Sequence, residues 1–392
     1  MKKTYAFLLA PFCLLFFACG EKGEEVQEEN NIQAIVLSLR SFVGDIDTKS
    51  TYDYSGKIFL WSEGDAVGII SSAGSQLKFT IEPKDYGKSH AAFDGRGFAL
   101  LGESHYYSFS PFYPDYNLNP NVLPVHYDGQ VQRGDNSYDH LGDYSYIVAM
   151  GTTPVGGSLN FLYHNVGVPH RYAIPVLPGG YSKMTLVIPS NKYIIEGTLN
   201  LFAATAEEQI EITPTLISNK FSLELAETTI SSAGDIQCWI MIPPTDLVGD
   251  VIHVYLQHSD GSESLAAIAG RDGPVNNRRF YNAACSIYPV QSDVNSEGGS
   301  IQIKVVKRDA GLEMNVTPGN EWITAAGSSA EGVVTTYNFT IAENTGAERN
   351  GTIVFTETVS GLSNTVTVHQ QKAGAVIGIS GWNQENHSGN AQ

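Results

Sequence analysis

Apolar and polar residues alternate in short runs along most of the chain, at 34–37, 66–70, 106–109, 146–150 and 159–163. The runs continue at 184–188, 199–202, 221–225, 236–242, 251–256 and 301–306. Gly, Pro, Asn, Asp and Ser gather between them, as at 115–124, 190–191 and 259–261. A period of two puts successive side chains on opposite faces of a strand, and turn residues at this spacing join strands into antiparallel sheets. Only 203–209 carries a helical pattern, of about two turns at most. The chain therefore reads as all-β, with its sheets packed as sandwiches. At 289–299 the composition turns to Asp, Asn, Ser, Glu and Gly, so 294–372 is expected to fold as a separate sandwich of about six or seven strands. A weaker interruption at 167–180, holding Pro169, Pro175 and Pro178, divides the larger body into expected halves at 33–167 and 168–289.

The first residues follow a different rule. Lys2 and Lys3 precede an apolar run at 6–17 that ends in Ala18-Cys19-Gly20. A basic start, a short apolar run and a small residue before the cut define a secretory signal, here 1–18. The run is short for a bilayer span. Phe16-Phe17-Ala18-Cys19 resembles a bacterial lipobox, which makes Cys19 the expected lipidation residue and an outer-membrane lipid anchor the expected attachment. Residues 19–32 are acidic and nearly free of apolar side chains, the composition of a solvated tether. Glu21, Glu24 and Glu25 resemble the export signal that places lipoproteins of Bacteroidetes-type bacteria on the outer face of the outer membrane. The expected location is therefore the cell surface.

Charge narrows the partners. The formal net charge is -18 over 392 residues, with a pI near 4.9, which argues against nucleic acid or anionic lipid as a ligand. Of the four cysteines, Cys13 leaves with the leader and Cys19 is the lipid site, while Cys238 and Cys285 lie in strand-like runs. Either a disulfide or two buried thiols fits that pair. The ten histidines are dispersed, and none has H-E-x-x-H or H-x-x-x-H spacing. There is no G-x-S-x-G elbow, Walker loop or redox cysteine pair. No catalytic residue, cofactor or metal ligand is assigned, and an enzyme is not expected. His105 and His164 read as strand residues. The cluster 115–119 is either a plain turn or a calcium loop. The aromatic band 106–116 is either an adhesive patch or one packed face of a strand.

Trp61-Ser62-Glu63-Gly64-Asp65-Ala66-Val67-Gly68-Ile69 opens an ordered set of motifs and is similar to the W-x-x-G-D-x-(I/V)-G signature of the fimbrillin family of Bacteroidetes. Tyr106-Tyr107-Ser108-Phe109-Ser110-Pro111-Phe112-Tyr113-Pro114 resembles its aromatic strand, and Leu159-Asn160-Phe161-Leu162-Tyr163-His164 its L-x-F-x-H element. Cys238-Trp239-Ile240-Met241-Ile242-Pro243-Pro244 and Arg279-Phe280-Tyr281-Asn282 resemble its late strands. The resemblance implies two transthyretin-like β-sandwich domains in tandem, delivered as a lipoprotein and able to join other fimbrial subunits by donor-strand exchange. It also implies proteolytic maturation after the first strand. Thr48-Lys49-Ser50 stands where that family has Thr-Arg-Ala, with Arg40 upstream, so Lys49 and Arg40 are the candidate processing residues.

In the last domain Glu297-Gly298-Gly299, Glu321-Trp322-Ile323-Thr324, Ala342-Glu343-Asn344, Arg349-Asn350-Gly351-Thr352-Ile353 and Val366-Thr367-Val368-His369-Gln370-Gln371 together resemble the BACON module. An Ig-like β-sandwich is implied, serving either for contact with host or dietary carbohydrate or mucin or as a spacer. Trp322 is then either a platform for the apolar face of a sugar or a core tryptophan. In the tail 373–392, Val376, Ile377, Ile379 and Trp382 are apolar enough for a short donor strand, weakened by Gly378 and Gly381. The expected function is that of an accessory, tip or anchor fimbrial subunit or adhesin. The alternative is a monomeric carbohydrate-binding surface lipoprotein of a glycan-utilisation system.

Overall fold

A computed structural model describes residues 32–34, 51–53, 58–71, 76–95, 105–113, 118–155, 158–271 and 279–374. The architecture is all-β, in multiple mostly antiparallel sheets around three buried apolar cores.

The first core lies on a seven-stranded antiparallel sheet. Its strands run in the order Ile32–Ala34, Phe93–Gly95, Gln76–Ile81, Ala66–Ser71, Tyr106–Ser110, Ile147–Thr152 and Tyr163–Asn165. The conspicuous motif residues of this half converge there. Trp61 is fully buried, with Phe93 edge-on at 4.7 Å and Tyr163 at 6.2 Å, and Tyr106, Leu159 and Phe161 complete the cluster. Between Trp61 and the strand at Ala66–Ser71 the chain turns. Gly64 takes φ +86°, a conformation in which a Cβ would be strained, and the Asp65 carboxylate accepts from Ser62 N–H at 2.8 Å. Gly68 pairs with Phe109 across the sheet, and a Cβ there would stand 2.3 Å from Phe109 Cζ. Glycine is required so that the ring can lie flat on the neighbouring strand.

The second core is the largest. One wall is a three-stranded sheet of Gly234–Ile242, Val168–Val176 and Arg279–Asn282. The other wall comes from Gly179–Val187, Lys220–Ile230, Val251–His258 and Glu263–Ala269. The interruption expected at 167–180 is instead a nine-residue strand, Val168–Val176, turning into Gly179–Val187. Its prolines are tolerated for a specific reason. The Ala173 carbonyl accepts from Ala283 N–H, so odd-numbered residues face that side, where pairing covers only His170–Ala173. The N–H groups missing at Pro169 and Pro175 would point beyond the paired stretch.

Strands on the early side of the expected boundary at 167 also pair across it. Leu123–His126 joins Tyr193–Leu199, and Val131–Arg133 runs parallel to Lys220–Ile230. Between them, Gln130 and Gln132, both buried, zip their side chains onto the free edge of Gly234–Ile242. Gln132 accepts from Trp239 N–H at 2.7 Å and donates to Gln237 O at 2.8 Å, while Gln130 accepts from Met241 N–H at 2.8 Å and donates to Met241 O at 2.6 Å. Two amides thus do the work of a strand and close an edge that would otherwise invite another chain. The helical pattern at 203–209 becomes one turn, Ala206–Gln209, with the Thr205 hydroxyl capping Glu208 N–H at 3.2 Å.

The third core belongs to the C-terminal unit. A four-stranded sheet in the order Gln291–Val294, Ser363–Gln370, Arg349–Glu357 and Met314–Pro318 faces the strands Gly299–Lys307, Val334–Ile341 and Ile323–Glu331. Those last three are continuous with the body. Cys285–Tyr288 pairs with both Gly299–Lys307 and Glu263–Ala269, so one nine-stranded sheet crosses the junction. Cys238 and Cys285 are both free and buried, the first in the second core and the second in the third. Desolvation of the thiolate pushes Cys285 up to about 12.

Candidate functional site

The outward face of the four-stranded sheet in the C-terminal unit carries a set of polar side chains. Alternation puts Val366, Val368 and Ile353 into the core and leaves Thr367, His369, Asn350 and Thr352 outside. Pairing then lines these up in two rows. Gln291, Thr367 and Thr352 form one row, and Asp293, His369 and Asn350 the next. Together with Gly319 and Asn320 they line a shallow groove of about 830 Å3. Asn320 fixes one wall by accepting from Thr352 N–H at 3.1 Å.

His369 is held between two acids. Its Nδ1 lies 3.0 Å from Asp293 Oδ1 and its Nε2 2.9 Å from Glu348 Oε1. Only the protonated ring donates at both nitrogens, so the hydrogen bond to Glu348 and then that to Asp293 raise its pKa above the usual imidazole value. Gln291 Nε2 also donates to Asp293 at 3.1 Å, which holds the carboxylate in place. The groove therefore offers amides and hydroxyls on a flat sheet that can hydrogen-bond a polyhydroxylated ligand, while both nitrogens of the imidazole are taken by the two acids.

Trp322 lies on the other side of this sheet. It is half-buried against the third core, and the direction a Cβ on Gly351 would take comes within 2.5 Å of Trp322 Cζ2. Arg349 covers the ring at 4.4 Å, and its guanidinium is held by Gln370 Oε1 at 2.8 Å and by the carbonyls of Ala342 and Glu343 at 3.1 Å. Of its two sequence readings, the surroundings of Trp322 are those of a packing residue. The aromatic band behaves alike: Tyr106 and Phe109 are buried, Tyr107 packs on Phe202 at 4.6 Å, and Tyr113 O–H donates to Pro124 O at 2.6 Å.

Cys19, Arg40, Lys49, Val376, Ile377, Ile379 and Trp382 lie outside the described residues, as do Asp115 to Asn117 of the 115–119 cluster. Asn119, which ends that cluster, accepts from Asn121 N–H at 3.1 Å as a helix cap. His105 is exposed, and His164 is half-buried with its pKa lowered by desolvation. Among the described residues no group of three or more His, Cys, Asp or Glu side chains is placed to hold a metal. His258 Nε2 sits 2.8 Å from Ser264 Oγ, but Ser264 is only 2% exposed and closed to a substrate. Asn350, Thr352, Thr367 and His369 lie within the BACON-like segments, but those motifs do not mark them as facing one groove. The available signal was the alternation in Val366-Thr367-Val368-His369-Gln370, which names the outward pair.

Comparison with known proteins adds one family. The BACON model, described as "Putative binding domain, N-terminal", matches residues 313–371, which include three of the four strands under the groove. No curated protein matches the chain. Among solved structures it is similar to "a putative cell adhesion protein" from Bacteroides ovatus, at 12% identity and a TM-score of 0.39, covering 66% of this chain and 90% of that one. Another "putative cell adhesion protein", from Bacteroides eggerthii, aligns at 10% identity and a TM-score of 0.28, covering 87% of this chain and 98% of that one.

Proposed function

We propose that this protein is a cell-surface lipoprotein that binds carbohydrate or mucin through its C-terminal module and acts as an adhesin, in an accessory, tip or anchor role of fimbrillin type. The observation that carries the binding role is the polar groove on the sheet matched by the BACON model. Delivery to the outer membrane through Cys19, two transthyretin-like sandwiches ahead of an Ig-like module, and a non-enzymatic role all belong to the same reading. Donor-strand assembly is supported by the strand Thr213–Ser218, which is paired on one side and exposes Leu216 and Ile217. The alternative, a monomeric glycan-utilisation lipoprotein, draws on Thr48-Lys49-Ser50 at the expected cut.

Two measurements separate these. The purified full chain, applied to arrayed glycans and to mucin, is expected to bind saturably and to lose that binding on Asn350→Ala; no binding at all removes the glycan role. Surface material sheared from cells is expected to give a heat-dissociable ladder on a gel, whereas a single monomer band leaves only the monomeric lipoprotein.

A further inference from the structure

We propose that the groove selects uncharged glycans and rejects sialylated or sulfated ones. The inference rests on the glycan-binding reading above and names the ligand class within it. Recognition of acidic sugars needs a fixed cation, usually an arginine fork or a lysine, that a carboxylate or sulfate can approach. Among the described residues no Lys or Arg lines the groove. Arg349, on the neighbouring strand position, faces the opposite side of the sheet, where Gln370, two main-chain carbonyls and the Trp322 ring occupy its guanidinium.

The charges that do reach the groove have the wrong sign for an anion. Asp293 lines it, and Glu348 is bonded to His369 at its edge. Two carboxylates against one imidazolium leave the trio net negative even when His369 is protonated, and a net charge of -18 for the chain adds long-range repulsion. The neutral groups left are Gln291, Asn350, Thr352 and Thr367. Each offers both a donor and an acceptor, which is what sugar hydroxyls and N-acetyl groups require. Placing a sugar carboxylate beside Asp293 would desolvate two like charges together, an arrangement that discriminates by exclusion.

The test uses the purified full chain against immobilised lactosamine oligosaccharides and their sialylated and sulfated counterparts. Neutral glycans are expected to bind more tightly, by on the order of tenfold or more. Asn350→Ala and, separately, Thr367→Ala should weaken that binding, and the double change Asp293→Asn with Glu348→Gln should narrow the gap between neutral and acidic glycans. Circular dichroism checks that each variant is folded. Equal or tighter binding of the acidic glycans overturns the selectivity while leaving the glycan reading intact. Neutral binding that ignores both groove variants overturns the placement of the site. Binding of neither class overturns the glycan reading itself.

Discussion

Arg308 Nη2 donates to the main-chain carbonyl of Ala173 at 2.8 Å, across 135 residues of sequence. The same guanidinium donates through Nε to Ala283 O at 2.9 Å and pairs with Asp235. One side chain from the C-terminal unit therefore holds three segments of the body. With the shared nine-stranded sheet, it fixes the angle at which the groove is presented. Arg308→Ala is expected to cost about 2 kcal/mol, because charge-assisted bonds to carbonyls are lost at a partly buried site. Thermal unfolding checks this, and Arg308→Lys should recover only part, since an ammonium cannot reach all three partners at once. An unchanged Tm in both variants would show the clamp to be idle.

Gln132 is fully buried and serves Trp239 N–H and Gln237 O together. Gln132→Ala leaves both strand groups unpaired away from water, at a cost of about 2–4 kcal/mol. Gln132→Leu should be no better despite its volume, because shape does not replace the two hydrogen bonds. Chemical denaturation of the two variants decides the matter; a stable leucine variant would argue that packing, not edge satisfaction, is the role of this residue.

Gly68→Ala puts a methyl group into the Phe109 ring, and the expected loss is about 1–3 kcal/mol from overpacking. Phe109→Leu in the same chain should return part of that loss by vacating the contact. Additive losses in the double variant, measured by unfolding, would refute the clash.

His369 links pH to stability. Its folded-state pKa is raised by Glu348 and Asp293, so its contribution is fully present below the unfolded value of about 6.5 and fades as pH rises through the higher folded value. Wild type should therefore exceed His369→Gln in Tm at about pH 5.5, with the gap shrinking as the pH rises beyond the raised folded-state value. A gap that stays constant across this range would mean the two acids do not act through the charge on the ring.

Burial explains which strands were legible. Many strands alternate because one face meets the core and the other meets water, and runs such as 221–225 and 251–256 are legible from that pattern, whereas 236–242, buried on both faces over 238–242, stands out as a continuous apolar run. Glu263–Ala269 was not picked out: five consecutive residues are buried, so the alternation vanishes where both faces are covered. The prolines of Val168–Val176 resemble an interruption because sequence does not reveal on which side a strand is left unpaired. Trp322 stands out by residue type, whereas Asn350, Thr352, Thr367 and His369 lie inside the BACON-like motifs, and only strand pairing brings them into one groove.

By itself the sequence determined the all-β architecture and the BACON-like C-terminal unit, because these depend on patterns among neighbours within a few residues. Only the tertiary structure decided that Asp293 meets His369 across 76 positions, that Gln130 and Gln132 stand in for a strand, and that one sheet crosses the junction. Pairing register and edge closure are set by contacts between segments far apart in the chain, and local patterning carries no record of which segments will meet.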